Sequence, residues 1–208
     1  MRKYIVESTS TFFIALALGI SANYIAIGII ISCFTLVCFP ISGAHFNPAI
    51  TFALLIQKRI RLTEAVYYVI AQFLGVVSAV ILFYFLIGRT YVLMPQQNIH
   101  ILKPLLIEII LTFFIVLMYL KMFASFLADE LQFSKYWFVT GLSVMAAGLS
   151  GAAISGGAYN PALGLAPALV ELVVKSGYPL GHCWIYALGP LIGATAAAIM
   201  DKYVLKNF

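Results

Sequence analysis

Long apolar runs and short polar connections alternate along the chain. Six of the runs have roughly the twenty residues that a helix needs to cross the hydrocarbon core of a bilayer. The predicted spans lie at residues 4–22, 25–41, 63–87, 102–124, 135–151 and 181–203. The pattern therefore predicts an all-α polytopic membrane protein with six transmembrane helices.

Two further apolar runs, Ile50–Gln57 and Gly164–Val173, are too short to span. Each follows a glycine-containing stretch and an Asn-Pro-Ala triplet. The triplets are Asn47-Pro48-Ala49 and Asn160-Pro161-Ala162. Asparagine is a preferred N-cap and proline fits the first helical position, so each triplet predicts the start of a half-helix. Loops and half-helices at membrane depth are tolerated only within protein or along a watery cavity, and a matched pair points to a permeation or binding site.

The two halves of the chain carry the same landmarks in the same order. Glu7–Phe13 in the first span and Glu108–Phe114 in the fourth share the pattern Glu-x-x-x-Thr-Phe-Phe. Gln72–Ala79 and Pro190–Ala197 share a glycine and an alanine at equal spacing. Because three spans separate equivalent positions, the second copy enters from the opposite face, which predicts an inverted repeat. The predicted organisation is one domain at 1–208, with repeat one at 1–87, a polar linker at 88–100 and repeat two at 101–208.

The composition agrees with a membrane protein. Of the 208 residues 63% are hydrophobic and 9% are charged, and the mean hydropathy is +1.06. A soluble domain of this size could not hide that much apolar surface. The formal net charge is +5, but the basic residues sit at the ends of spans. We therefore expect no nucleic-acid partner.

Lysine and arginine also predict the orientation, because they are enriched in cytoplasmic loops. With the N-terminus in the cytoplasm, nine basic residues lie inside and three outside. The inside set is Arg2, Lys3, Lys58, Arg59, Arg61, Lys121, Lys135, Lys202 and Lys206, and the outside set is Arg89, Lys103 and Lys175. We expect an integral, multi-pass protein with both termini cytoplasmic.

The few ionisable residues form no nucleophile–base or metal-ligand pattern, so the sequence predicts no enzyme, no cofactor and no metal site. What the half-helices offer instead is hydrogen-bond donors. Their first turns carry unpaired N–H groups and partial positive charge, and each asparagine adds an NH₂ group. Such donors would orient a file of water, and the positive helix ends would repel cations and protons.

Taken together, these motifs resemble the aquaporin, or major intrinsic protein, family over essentially the whole chain. The resemblance rests on both triplets, the paired Glu-x-x-x-Thr-Phe motifs, Ser42–Asn47, Ala71–Gly75 and Gly189–Gly193. It implies six tilted helices plus two half-helices, one pore per protomer, usually a homotetramer, and passive passage of water or small neutral solutes across the lipid bilayer. It also implies that Glu7 and Glu108 bond and orient the backbone of the triplet loops; a proton relay is the alternative role for these buried carboxyl groups. His45 adjoins the first triplet, so we expect its side chain to pack or bond within the loop, with an ionisable gate as the alternative.

The chain departs from the family at the outer constriction. The family normally has an arginine directly after the second triplet, and this chain has Leu163. Counting from the asparagines places the other constriction positions at Ile27, Gly148 and Gly157. None of the four side chains carries a charge or a hydrogen-bonding group. Two glycines predict width, whereas isoleucine and leucine predict an apolar wall.

Width and polarity favour different cargoes, and several functions stay open. Width favours solutes such as glycerol, urea, ammonia or hydrogen peroxide, and an apolar wall disfavours stripping of hydration. Glycerol facilitators resemble one another in having an aspartate and a basic residue where this chain has Gly164 and Ala168, so that subclass is not supported. The leucine after the second triplet is instead similar to the unorthodox, intracellular branch of the family. The hypotheses are a water channel with broadened selectivity, a facilitator with little water flux, and a junctional or scaffold protein with a vestigial pore. A coupled transporter is disfavoured because neither triplet loop carries aspartate or arginine.

Overall fold

The computed structural model describes residues 1–128, 136–175 and 179–205. Within this part the chain forms helices and no strand. The helices are α1 Arg2–Ser21, α2 Tyr24–Ser42, α3 Pro48–Ile56, α4 Leu62–Ile87, α5 Leu102–Ala128, α6 Val139–Ser155, α7 Pro161–Lys175 and α8 Cys183–Tyr203, with a short 3₁₀-helix at Pro179–His182.

The predicted all-α, multi-span class is confirmed. Five helices (α1, α2, α4, α5 and α8) are long and apolar enough to cross a membrane. The sixth, α6, has 17 residues, at the lower end of the spanning range. Its predicted span began at residue 135, which lies outside the described residues; the described helix starts at Val139 and ends at Ser155. The short helices α3 and α7 begin at the two triplet prolines, and α7 extends past the predicted end at Val173 to Lys175.

A tight turn joins α1 to α2. Ala22 ends α1 in the left-handed conformation at φ 47°, and its N–H donates to the carbonyl of Leu18. Asn23 caps α2: its side-chain oxygen accepts from Ile25 N at 2.9 Å and from Ala26 N at 3.4 Å. The cap satisfies N–H groups that the helix itself leaves unpaired. Tyr24 is thereby fixed as the first residue of α2.

Two helix pairs, α1 with α4 and α5 with α8, form equivalent close contacts in the two halves. Glycines sit where the backbones approach. A Cβ on Gly75 would overlap the carbonyl of Ser8, and a Cβ on Gly193 would overlap the carbonyl of Ile109. One turn further along each helix, Ala79 and Ala197 are fully buried. Small residues therefore bring the helices together, as they commonly do where lipid supplies no hydrophobic driving force.

Polar contacts place both termini at the same end of the bundle. Lys3 in α1 pairs with Glu64 in the first turn of α4. Asp201, near the end of α8, lies 3.8 Å from the guanidinium of Arg59, just before α4, and 3.3 Å from the ammonium of Lys121. Three of the nine residues predicted to be cytoplasmic, Lys3, Arg59 and Lys121, thus make ion pairs near this end, while Lys135 and Lys206 lie outside the described residues.

We predict that Gly75→Val and Gly193→Val each lower the free energy of unfolding by about 1–3 kcal/mol or more, because the added atoms meet backbone that cannot rotate aside. Thermal unfolding in detergent measures the effect. Gly181→Val is the matched control, since a Cβ there meets nothing within 4 Å. Equal losses at all three positions would contradict the packing role.

Candidate functional site

Each triplet asparagine caps its own half-helix. The side-chain oxygen of Asn47 accepts from Ala49 N at 2.8 Å. The oxygen of Asn160 accepts from Ala162 N at 3.0 Å and from Leu163 N at 3.4 Å. Pro48 and Pro161 take the first helical positions, where no N–H is needed. The caps use the amide oxygens and leave the NH₂ groups to point away from the helices.

Those NH₂ groups join the two half-helices tip to tip. Asn47 Nδ2 donates to the carbonyl of Tyr159 at 2.9 Å, and Asn160 Nδ2 donates to the carbonyl of Phe46 at the same distance. Each asparagine therefore binds the carbonyl directly before the other. A primary amide has two N–H donors. Within the described residues the second donor of each has no protein acceptor, and both side chains line one central cavity.

Two buried carboxylates hold the loops that lead to the triplets. The Oε1 of Glu7 accepts from the Ser42 hydroxyl at 2.7 Å and His45 N at 2.9 Å, and its Oε2 accepts from Phe46 N at 2.7 Å. A fourth donor, Gln72 Nε2, reaches the Oε2 at 2.9 Å. Three of the four hydrogen bonds of Glu7 thus organise the first loop, and the fourth ties its carboxylate to α4.

Glu108 repeats this arrangement in the second half. Its Oε1 accepts from the Ser155 hydroxyl at 2.7 Å and from Ala158 N at 3.1 Å, and its Oε2 accepts from Tyr159 N at 2.7 Å. The residue at the place of Gln72 is Pro190, which offers no side-chain donor. Glu108 therefore has three described donors where Glu7 has four.

Two tyrosines, which were not predicted from the sequence, complete the support. Tyr68 donates to the carbonyl of Ser42 at 2.6 Å, and Tyr186 donates to the carbonyl of Ser155 at 2.5 Å. Each lies four residues before the matched Gln72 or Pro190. The sequence did contain a signal for these contacts: the two tyrosines occupy equivalent positions of the internal repeat.

The loops adopt backbone conformations that side chains disfavour. Ala44 and Phe46 in the first loop and Tyr159 in the second have φ near +50°, at 51°, 51° and 47°. A non-glycine residue in this region costs on the order of 1–3 kcal/mol and persists only where its surroundings fix it. The carboxylate and tyrosine hydrogen bonds supply that constraint.

His45 breaks the symmetry between the loops. Its Nδ1 lies 3.1 Å from the Thr51 hydroxyl, and its ring stacks on Tyr68 with centroids 4.2 Å apart. The ring also lines the central cavity. Its counterpart in the second loop is Ala158. Only the first half of the site therefore presents an imidazole.

The central cavity has a volume of about 30 Å³, which is room for one or two water molecules. Both asparagines, His45 and Leu163 line it, together with apolar side chains such as Ile31. Of the four predicted constriction residues, Leu163 is the one found in this lining among the described residues. The cavity is thus a small, mostly apolar space with two amide donors in its lining.

The other predicted constriction positions lie beside an unexpected aromatic ring. Ile27 is buried in α2, Gly148 is in α6, and Gly157 is in the second loop. The side chain of Tyr24 packs directly over both glycines, and its hydroxyl donates to the carbonyl of Gly157 at 2.8 Å. The space that two glycines were expected to leave open is therefore filled. Within the described residues, no group of three or more His, Cys, Asp or Glu side chains could hold a metal ion.

Comparison with known proteins agrees with this geometry. A family model described as "Major intrinsic protein" matches residues 4–201. Rat (Rattus norvegicus) aquaporin-5 is 35% identical over 189 residues, which cover 87% of this chain and 68% of that protein. A glycerol uptake facilitator protein-like 6 from Lactiplantibacillus plantarum is 30% identical over 217 aligned positions, covering 97% of both chains.

A solved structure has the same fold. The aquaglyceroporin from Plasmodium falciparum superimposes with a TM-score of 0.83 at 21% identity, covering 98% of this chain and 96% of that one. At this identity the likeness concerns the fold alone.

We predict that Glu7→Gln destabilises the protein more than Glu108→Gln. Glutamine offers one acceptor oxygen and turns an NH₂ toward the remaining donors, and each buried group left unpaired costs about 1–3 kcal/mol. Glu7 serves four donors and Glu108 three. Thermal unfolding in detergent compares the two.

The control for this pair is Glu64→Gln, which removes only a half-exposed ion pair with Lys3. Such pairs contribute about 0–1 kcal/mol. A melting temperature for Glu7→Gln equal to that of Glu64→Gln would show that the carboxylate does not hold the loop.

Proposed function

This chain belongs to the major intrinsic protein family of membrane channels, and we propose that it conducts water and small neutral solutes through a pore in each protomer, past an apolar constriction without arginine. One observation carries the proposal. The two half-helices meet tip to tip, cross-linked by Asn47 and Asn160, beside a cavity with room for one or two water molecules.

The geometry supports passage without chemistry. A water molecule at the level of the asparagines would accept hydrogen bonds through its oxygen from the two free amide N–H groups. The N-terminal ends of α3 and α7 carry partial positive charge and point at the same place. Positive helix ends raise the barrier for cations and protons while leaving neutral molecules free to pass. We propose that the two triplets form the site at the centre of the pore where water is oriented. The triplet residues are Asn47, Pro48, Ala49, Asn160, Pro161 and Ala162, and their loops are supported by Glu7, Glu108 and His45.

The constriction proposal concerns Ile27, Gly148, Gly157 and Leu163. Leu163 lies one residue beyond the second triplet and faces the cavity with a branched alkyl group. It offers neither charge nor hydrogen bond to a passing solute, so hydration lost there is not replaced. A strongly hydrated ion is disfavoured on this ground alone, without a fixed positive side chain.

A second candidate is a facilitator of small uncharged solutes with little water flux. The observation that favours it is the alignment with a protein named as a glycerol uptake facilitator over nearly the full length of both chains. Against it, the central cavity is only about 30 Å³ in volume.

Stopped-flow light scattering on proteoliposomes distinguishes the candidates. Under a sucrose gradient we expect faster shrinkage than in empty liposomes, and under glycerol or urea gradients a smaller acceleration. Glycerol flux without water flux would favour the facilitator. Rates equal to those of empty liposomes for every solute would contradict both channel functions and favour a scaffold role.

We predict that Leu163→Arg reduces glycerol and urea passage more than water passage, because a longer, charged side chain narrows the route. The solute-to-water permeability ratio is the measured quantity. Leu163→Met is the control, since it nearly conserves volume and adds no charge. Should both variants keep the wild-type ratio, Leu163 does not face the conducted solute.

Orientation and assembly complete the proposal. We propose cytoplasmic termini, because nine of twelve basic residues belong to the side that carries both ends of the chain, and a homotetramer by analogy with the family. Protease removal of an N-terminal tag in inside-out but not right-side-out vesicles would support the orientation. Cross-linking in native membranes that stops at four copies would support the assembly; a monomer or dimer limit would contradict it.

A further inference from the structure

The ring of Tyr24 occupies the space between α2, α6 and the second triplet loop. A Cβ built on Gly148 would overlap the ring carbons of Tyr24, and a Cβ built on Gly157 would overlap its hydroxyl. No side chain larger than hydrogen fits at either position while the tyrosine stays in place. The two glycines and the tyrosine therefore form one complementary unit.

The helix packing explains why a large ring fits here. The backbones of α2 and α6 approach closely at Gly28 and Gly141, where a Cβ on Gly28 would lie 2.6 Å from the carbonyl of Gly141. One turn toward the start of α2, Tyr24 replaces this backbone contact with a ring that lies over Gly148. Residues four apart share a helix face, so Tyr24 extends the same contact line toward the mouth of the bundle.

The hydroxyl of Tyr24 binds acceptors in the glycine-rich loop. It donates to the carbonyl of Gly157 at 2.8 Å and lies 3.3 Å from the carbonyl of Gly156. Carbonyls in such loops would otherwise be free to accept from a passing solute. The hydrogen bond uses one acceptor and holds the ring across the loop.

The position of the ring is fixed from both sides. Asn23 caps the helix directly before Tyr24, so the backbone at this point has little freedom. A tyrosine has few rotatable bonds, and here the ring is bounded by glycine backbone and tied at its hydroxyl. Ile27, three residues later, lies on the adjoining part of the same helix face.

We propose that Tyr24 sets the size limit of the constriction, filling the width that Gly148 and Gly157 would otherwise give and restricting solutes larger than water. This inference rests on the proposed channel function and names the residue that determines its selectivity. The aromatic group comes from one turn before the position that counting along the sequence identifies. The ring of Tyr24 thus narrows the constriction in place of the arginine that is absent at position 163, but it supplies no positive charge.

The test measures water and glycerol permeability in proteoliposomes for the wild type, Tyr24→Ala and Tyr24→Leu, with flux normalised to folded protein. We expect the glycerol-to-water ratio to rise by roughly tenfold in Tyr24→Ala, equivalent to about 1.4 kcal/mol of barrier. Tyr24→Leu keeps an apolar packing group of smaller reach and should give an intermediate rise. It also serves if the alanine variant folds poorly.

Tyr91→Ala is the matched control. Tyr91 also seats its ring on a glycine, Gly19, and donates its hydroxyl to a backbone carbonyl, that of Ala15, at 2.6 Å. It lies against α1 and Phe83 of α4, and its ring is not among the atoms nearest to Gly148 or Gly157. Both variants therefore lose a half-buried tyrosine ring and a hydrogen bond to backbone. Of the two tyrosines, Tyr24 is the one that contacts Gly148 and Gly157. We expect Tyr91→Ala to leave the permeability ratio unchanged.

The outcomes separate the two proposals. An unchanged ratio in folded Tyr24→Ala and Tyr24→Leu, with water flux intact, overturns the role of Tyr24 and leaves the channel function standing. No flux in the wild type or in any variant overturns the channel function. Flux that appears only in the Tyr24 variants contradicts both proposals, because the wild type would then pass no water.

Discussion

The site depends on two carboxylates buried in the bundle. Glu7 and Glu108 accept hydrogen bonds from the backbone N–H groups of the loops that precede the triplets. Without these acceptors, loop N–H groups at membrane depth would lie unpaired, which is costly where no bulk water reaches. The same bonds hold Phe46 and Tyr159 at positive φ. That conformation in turn aims their carbonyls at the asparagine of the opposite loop.

The two halves solve this problem alike but not identically. The serine, glutamate and tyrosine contacts repeat with nearly equal distances. Gln72 and His45 have no polar counterpart, because Pro190 and Ala158 stand in their places. The repeated groups are those that fix the backbone, whereas the unmatched ones face Glu7 or the cavity. The serine, glutamate and tyrosine contacts of the two loops are therefore symmetric, whereas the fourth donor to Glu7 and the imidazole beside the central cavity belong to the first half alone.

The fold could be predicted from local sequence patterns because the length and the start of a membrane helix depend on residues within that helix. Span length follows from apolar run length, and the starts of α3 and α7 follow from asparagine caps and proline at the first position. Helix ends were less accurate: α6 continues to Ser155 because a left-handed glycine, Gly156, ends it rather than a change in polarity. The tyrosine contacts with Ser42 and Ser155 could not be predicted, since they join distant segments. The same limit applied to the constriction. Counting from the asparagines predicted Gly148 and Gly157 as constriction positions, but it could not predict that the ring of Tyr24 lies over them.

The asparagine cross-links also bear on how the chain is made. Asn47 bonds to a carbonyl 112 residues later, and Asn160 bonds to one 114 residues earlier. During synthesis the first loop can be shaped by Glu7, Gln72 and Tyr68 as soon as α4 has emerged. The amide of Asn47 has no partner from the opposite loop until Tyr159 has been synthesised and inserted. The contact between the two half-helices therefore cannot form until the last third of the chain has been made.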